Sequence, residues 1–166
     1  SGSAFLRRIA AMAPQRAANL GLLAAAAASQ EKDYAVRLRL LKTLSYLTPT
    51  NAEVIAQVAL LRGQGGDTVG ELKLLNRLRD KEKFQLDDKL AETVWNRWAD
   101  LEVKKGELDL VLAELEDYLI DRPRQLLARK TISQVYLRRF QNAEARRVLR
   151  AGISNDSDGS LRVYLA

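Results

Sequence analysis

Four stretches of this chain can be laid over one another: KDYAVRLRLL, GDTVGELKLL, GELDLVLAEL and RRFQNAEARRVL. In each, a break is followed by apolar residues at helical spacing. The residues that open the later helix are then Asp33, Asp67, Glu107 and Arg139, at spacings of 34, 40 and 32 residues. Eight residues before each stand Ala25, Ala59, Ala99 and Thr131, small side chains where two helices would cross closely. Such a repeat constrains the fold strongly. One unit of this size cannot bury its apolar face alone, so units must stack on their neighbours.

The residues between the breaks read as helix. Tyr34, Leu38, Leu41, Leu44 and Leu47 form one stripe, and Val54, Ile55, Val58 and Leu61 another. Leu72, Leu75 and Leu78 follow, then Leu108, Val111, Leu112, Leu115 and Leu119, all at spacings of three and four. Asp33, Asn51 in TPTN, Asp67 and the Asp87-Asp88 pair supply side-chain oxygens for first-turn amides. Pro14, Pro49 and Pro123 fall between periodic segments, where a missing amide costs least. The pattern predicts helices near 4–12, 17–30, 33–47, 51–63, 67–82, 88–104, 107–121, 124–138, 141–152 and 159–166. The chain is expected to be all-α.

Composition removes several chemistries. The 166 residues include no cysteine and no histidine, which excludes zinc sites, thiol chemistry and a histidine base. No cofactor is expected. The longest apolar run, LGLLAAAAA, is too short for a membrane span, and no signal-peptide arrangement is present. Gly63, Gly65 and Gly66 lie in RGQGGD without the preceding strand or following Lys-Ser/Thr of a phosphate loop, so they mark an inter-helix turn. Paired carboxylates such as Glu114 with Asp117, or Asp87 with Asp88, sit at helical surface positions with no partner set. No catalytic constellation is found, and an enzyme is not expected.

The net charge of +6 is unevenly spread. From Asp87 to Asp121 there are eleven acidic residues against four basic; from Arg122 to Arg150 there are nine basic residues and one acidic, Glu144. The two blocks could neutralise each other across a packed interface or attract partners of opposite sign.

A helix–turn–helix unit of this length, with a small residue at the crossing and a proline after the second helix, resembles the tetratricopeptide repeat (TPR). Trp95, Ala99, the GEL turn at Gly106–Leu108 and Pro123 carry the resemblance best. Asp33, Tyr34 and Pro49 match in the first unit, where Arg37 replaces a small residue. The second keeps GGD and Ala59 but has Thr68 and Glu71 in place of an aromatic and an alanine. The last has RRFQNAEA, with Phe140 and Ala143 taken as core positions. The resemblance implies an α-solenoid of antiparallel helix pairs in a right-handed superhelix, with about four repeats and flanking half-repeats. Residues 1–166 would be one repeat domain cut from a longer array, its leading Ser-Gly-Ser a cloning remnant, with self-association through uncapped ends. Trp95 and Trp98 are expected in the core.

In TPR proteins the first helices of successive pairs line a groove that takes peptides or partner proteins. That would place Thr93, Asn96, Asp100 and Lys104 on the groove surface, and Gln125, Ala128, Ile132 and Tyr136 in the next unit. The Lys/Asn set that clamps a C-terminal carboxylate in chaperone-binding members is not reproduced. The expected function is therefore a non-catalytic scaffold for a partner protein. The alanine-, leucine- and arginine-rich, cysteine-free repeats are also similar to the periplasmic TPR arrays of bacterial exopolysaccharide (biofilm) exporters of the Pel type. Such a placement implies a periplasmic location and recruitment of modifying enzymes; otherwise the chain would be cytoplasmic. A second reading is an RNA-, polysaccharide- or other polyanion-binding module using Arg129, Arg138, Arg139, Arg146, Arg147 and Arg150.

Overall fold

Side-chain caps start four of the helices where the sequence offers them. Asp33 accepts from the amides of Ala35 and Val36, Asn51 from Val54, Asp67 from Gly70 and Asp87 from Leu90. The computed structural model describes residues 33–152, and among these every regular element is a helix. In order they are α1 (Tyr34–Leu47), α2 (Ala52–Gln64), α3 (Thr68–Leu78), α4 (Asp88–Lys105), α5 (Leu108–Asp121), α6 (Leu126–Arg138) and α7 (Asn142–Gly152). No described helix is long and apolar enough to cross a membrane. The helices expected near 4–12, 17–30 and 159–166, and the crossing residue Ala25, lie outside the described residues.

The chain divides into two compact units between Leu86 and Asp87. In the first, α1 and α3 both pack on α2. Leu41, Leu44, Val54, Val58 and Leu61 make its core, with Leu38 and Leu74 against them. Helix α3 stops at Leu78, short of the expected 82. The Asp80 carboxylate accepts from the amides of Glu82 (3.2 Å) and Lys83 (3.3 Å) and pairs with the Lys83 ammonium, a local turn that competes with helix. Phe84 then folds back into the core, the Arg77 guanidinium 5.6 Å from its ring centroid. The two large residues that replace small ones are accommodated locally. Glu71 is fully buried, in space that a Cβ at Gly63 would occupy. Arg37 reaches out to donate to the Gln64 side chain at 3.0 Å.

In the second unit α4 packs on α5 and α6, α5 on α6, and α7 on α6. Trp95 and Trp98 are both buried, as expected. The Trp95 ring stacks on Tyr118 at a centroid distance of 4.5 Å and meets Trp98 edge-on at 5.7 Å. The acidic and basic blocks do meet: Asp88 pairs with Arg122, and Asp109 with Arg139 at 2.7 Å. The Arg139 guanidinium holds the Asp109 carboxyl below the usual carboxylate range.

The turns between α2 and α3, α4 and α5, and α6 and α7 share one geometry. The amides of Asp67, Glu107 and Gln141 donate to the carbonyls of Arg62, Glu102 and Tyr136, each at 3.0 Å. The residue before each donor is left-handed: Gly66 at φ 84°, Gly106 at φ 90° and Phe140 at φ 60°. This is a Schellman closure with its αL residue in place. It corrects the repeat register of the last unit. Helix α7 opens after Gln141, not at Arg139, so the last spacing is 34 residues rather than 32. The crossing residue moves with it, from the half-buried Thr131 to Ser133. Ala59, Ala99 and Ser133 are all completely buried. Phe140, expected in the core, is 91% exposed, and the small buried residue of α7 is Ala145 rather than the exposed Ala143.

The Ser133 hydroxyl is buried without a hydrogen-bond partner. A buried unmade hydrogen bond costs about 1–3 kcal/mol, and a serine-to-alanine change removes the group with little loss of volume. Ser133→Ala is expected to stabilise the chain by about 1 kcal/mol in urea denaturation. A loss of stability would show that the crossing needs the hydroxyl.

Candidate partner-binding cleft

The contact between α4 and α6 leaves a cleft of about 90 Å³ on one side. From α4 it is lined by Asn96, Asp100 and Val103; from α6 by Thr131, Gln134, Val135 and Arg138. Positions 96, 100 and 103, and 131, 134 and 138, each follow the three-and-four spacing that keeps side chains on one helix face. Polar side chains from both helices make up most of the lining, with Val103 and Val135 among them.

Several of these groups are already engaged. The Asp100 carboxylate pairs with Arg97 at 3.4 Å and with Lys104 at 2.9 Å. The Thr131 hydroxyl donates to the Leu127 carbonyl at 3.1 Å. Asn96, Gln134 and Arg138, by contrast, have no side-chain hydrogen bond or ion pair among the described residues. A carboxamide offers two donors and two acceptor sites, and a guanidinium five donors. Side by side, they form a surface that can satisfy both N–H and C=O groups of an extended backbone and fix one carboxylate.

The residues expected on the groove divide. Asn96 and Asp100 line the cleft, and Lys104 sits at its edge through its pair with Asp100. Thr93 donates to its own helix at Lys89 and is not part of the lining. Ile132 and Ala128 are buried in the core rather than on the groove surface. Tyr136 faces the other side of α6, where its hydroxyl donates to the Glu116 carboxylate of α5 at 2.8 Å, and Gln125 precedes α6 outside the lining. The Glu116 bond raises the Tyr136 phenol above its ordinary pKa.

One cause accounts for Gln134 and Arg138 being missed on the groove and Ile132 and Tyr136 being placed there. The last repeat is shifted by two residues, and adding two to Ile132 and Tyr136 gives Gln134 and Arg138. The signal was present in the sequence as the 34-residue step from Gly106 to Phe140.

The six arginines of the expected basic patch do not come together. The Arg129 guanidinium donates to the Pro123 carbonyl at 3.0 Å and the Val148 carbonyl at 3.4 Å, and burial lowers its pKa. Arg139 is paired with Asp109, and Arg138 lines the cleft. Arg146, Arg147 and Arg150 stay exposed on α7. Comparison of the sequence with known families and with characterised proteins finds no matching family model and no matching protein.

Proposed function

We propose that the chain is a non-catalytic scaffold of TPR-like repeats whose α4/α6 cleft holds an extended segment of a partner protein. The observation that carries this reading is the convergence of Asn96, Gln134 and Arg138 on one cleft without partners of their own among the described residues. The two carboxamides would pair with the backbone of the segment, and Arg138 with an acidic side chain on it. Three further features support the repeat architecture: the common Schellman turn, the buried small residue eight positions before each turn-closing residue, and the 34-residue step. On this reading the helix pairs are antiparallel and stack into a right-handed solenoid, with the cleft on the face formed by first helices. The similarity to periplasmic arrays of exopolysaccharide exporters makes an envelope enzyme the first partner class to test.

The experiment is a capture from Gram-negative envelope extract. The chain and its Asn96→Ala/Gln134→Ala/Arg138→Ala variant serve as matched baits. A partner held by the first and lost by the second is the expected result, with at least a tenfold weakening when the captured partner is titrated, since each lost charged or amide contact contributes about 0.5–3 kcal/mol. Equal capture by both baits would end the groove reading. The polyanion reading now rests on Arg146, Arg147 and Arg150. Binding of polyphosphate that falls steeply with salt and is lost in a triple alanine variant at these positions would support it.

A further inference from the structure

A second opening lies within the first unit, between α1 and α2, with a volume of about 180 Å³. It is lined by Arg37 and Leu41 of α1 and by Gln57, Leu60, Leu61 and Gln64 of α2. Those four α2 residues stand 74 residues before Thr131, Gln134, Val135 and Arg138, the α6 lining of the cleft. That distance is the 40-residue and the 34-residue repeat steps taken together, so the same four helix positions open in both units. The wall opposite them differs: it is α4 in the cleft and α1 here.

The α1 wall is held against the closing end of α2. The Tyr34 hydroxyl donates to the Leu61 carbonyl at 2.9 Å, in space that a Cβ at Gly65 would occupy. One turn further along α1, Arg37 donates to the Gln64 carboxamide oxygen at 3.0 Å. The Arg37 guanidinium makes no other side-chain hydrogen bond and no ion pair among the described residues. Four of its five donors therefore stay unused, and its bonds to a carboxylate would be about twice as strong as neutral ones. Both openings thus have a guanidinium at the same end: Arg138 itself in the cleft, and Arg37 beside the equivalent Gln64 here. Between Arg37 and Gln57 the lining is apolar, with Leu41 and Leu61 buried and Leu60 half-buried.

The spacing sets what fits. Leu60 and Gln64 are one turn apart, about 6 Å along the helix axis. An extended chain advances about 3.3 Å per residue and turns alternate side chains the same way, so residues two apart are separated by about 6.6 Å. A segment lying along α2 with an aliphatic side chain over Leu60 brings the side chain two positions away level with Gln64 and Arg37. We propose that the α1/α2 groove is a second docking site for an extended partner segment, reading an aliphatic residue with an acidic residue two positions away. Charge complementarity selects this occupant, because the groove offers a guanidinium without a counter-ion beside three leucines. The inference rests on the scaffold reading of the α4/α6 cleft and adds to it a separate site with its own sequence requirement.

The probe is the end-blocked peptide acetyl-Glu-Thr-Leu-Thr-Glu-amide, which offers the spacing in either chain direction. It is titrated into the whole isotope-labelled chain to about 2 mM, a range that reveals weak binding, and followed by heteronuclear NMR. The expected result is saturable shifts of the side-chain amides of Gln57 and Gln64 and of the backbone amides of Leu60 and Leu61. Glutamine in place of both peptide glutamates, or Arg37→Gln in the chain, should each weaken binding about tenfold, as for loss of a charge-assisted hydrogen bond. Both changes together should weaken it no more than either alone, a coupling that mere damage to the fold would not produce. The isomer acetyl-Thr-Glu-Leu-Glu-Thr-amide, with its acids next to the leucine, should also bind more weakly. Because each residue reports separately, groove and cleft succeed or fail independently. Shifts confined to the side-chain amides of Asn96 and Gln134 overturn the groove proposal and leave the cleft reading standing. No shifts in α2, or equal binding of the glutamate and glutamine peptides, overturn it as well. So do α2 shifts that follow the chain's own concentration without peptide, which would assign the groove to a second copy. Nuclear Overhauser contacts joining Leu60 to residues 17–30 would assign it to the chain itself and equally overturn the proposal.

Discussion

Trp98→Ala is expected to destabilise the second unit by about 3–5 kcal/mol, the range for emptying a buried aromatic site. The Trp98 side chain is 1% exposed and sits beside Ala99, the completely buried small residue of the α4 crossing. Its ring meets the edge of Trp95, which in turn lies on Tyr118 of α5. Removing Trp98 therefore opens a cavity and also withdraws one side of a three-ring stack that ties α4 to α5. Helices at such a crossing are too close to collapse much further, so little of the cavity can be refilled. The measurement is urea denaturation followed by fluorescence. Both tryptophans of the chain lie in the second unit, so the signal reports that unit alone, and Trp95 remains as the probe in the variant. Ile120→Ala is the control: Ile120 is 77% exposed on α5, in the same unit, and should change stability by less than about 0.5 kcal/mol. A loss below 1 kcal/mol for Trp98→Ala would mean that the tryptophans are not holding the helix pair together.

That pair of tryptophans was legible in the sequence because the signals agreed. The apolar spacing through Trp95 and Trp98, the acidic cap at Asp87 and the Gly106 break all assign the same helix, and local propensity does not contradict them. The four side-chain caps were legible for the same reason: Asp33, Asn51, Asp67 and Asp87 each precede an apolar-periodic run. The end of α3 was not. Arg79, Lys81 and Glu82 are ordinary helix formers, and only the local competition of Asp80 with the backbone stops the helix there. The cleft was half legible. Asn96 and Asp100 follow directly from the best-matched repeat, whereas Gln134 and Arg138 depend on the register of the last one. That register hinges on a turn with no glycine. The left-handed position is occupied by Phe140, and a bulky aromatic reads from sequence as a core residue. Its exposure follows from backbone geometry, which residue type alone does not report.

The same turn gives the other large expected effect. Gly66 and Gly106 adopt φ of 84° and 90° at no steric cost, while Phe140 holds φ of 60° with a Cβ close to the following carbonyl. That conformation costs an L-residue about 1–2 kcal/mol. Its ring, 91% exposed, recovers little of this by burial within the described unit. Phe140→Gly should therefore raise stability by about 1 kcal/mol, the relief of strain being partly offset by the greater freedom of glycine in the unfolded chain. The reverse change at the neighbouring turn should act more strongly. At φ 90° Gly106 lies beyond the small left-handed region open to other residues, so Gly106→Phe is expected to cost about 2–3 kcal/mol. No heavy atom stands within 4 Å of where its Cβ would go, which leaves the backbone as the cause rather than a clash. Urea denaturation of both variants, read by tryptophan fluorescence, separates the two cases. If Phe140→Gly leaves stability unchanged, the α6–α7 turn is not strained. If it raises stability, the left-handed backbone at Phe140 is a strain that the fold carries and glycine relieves.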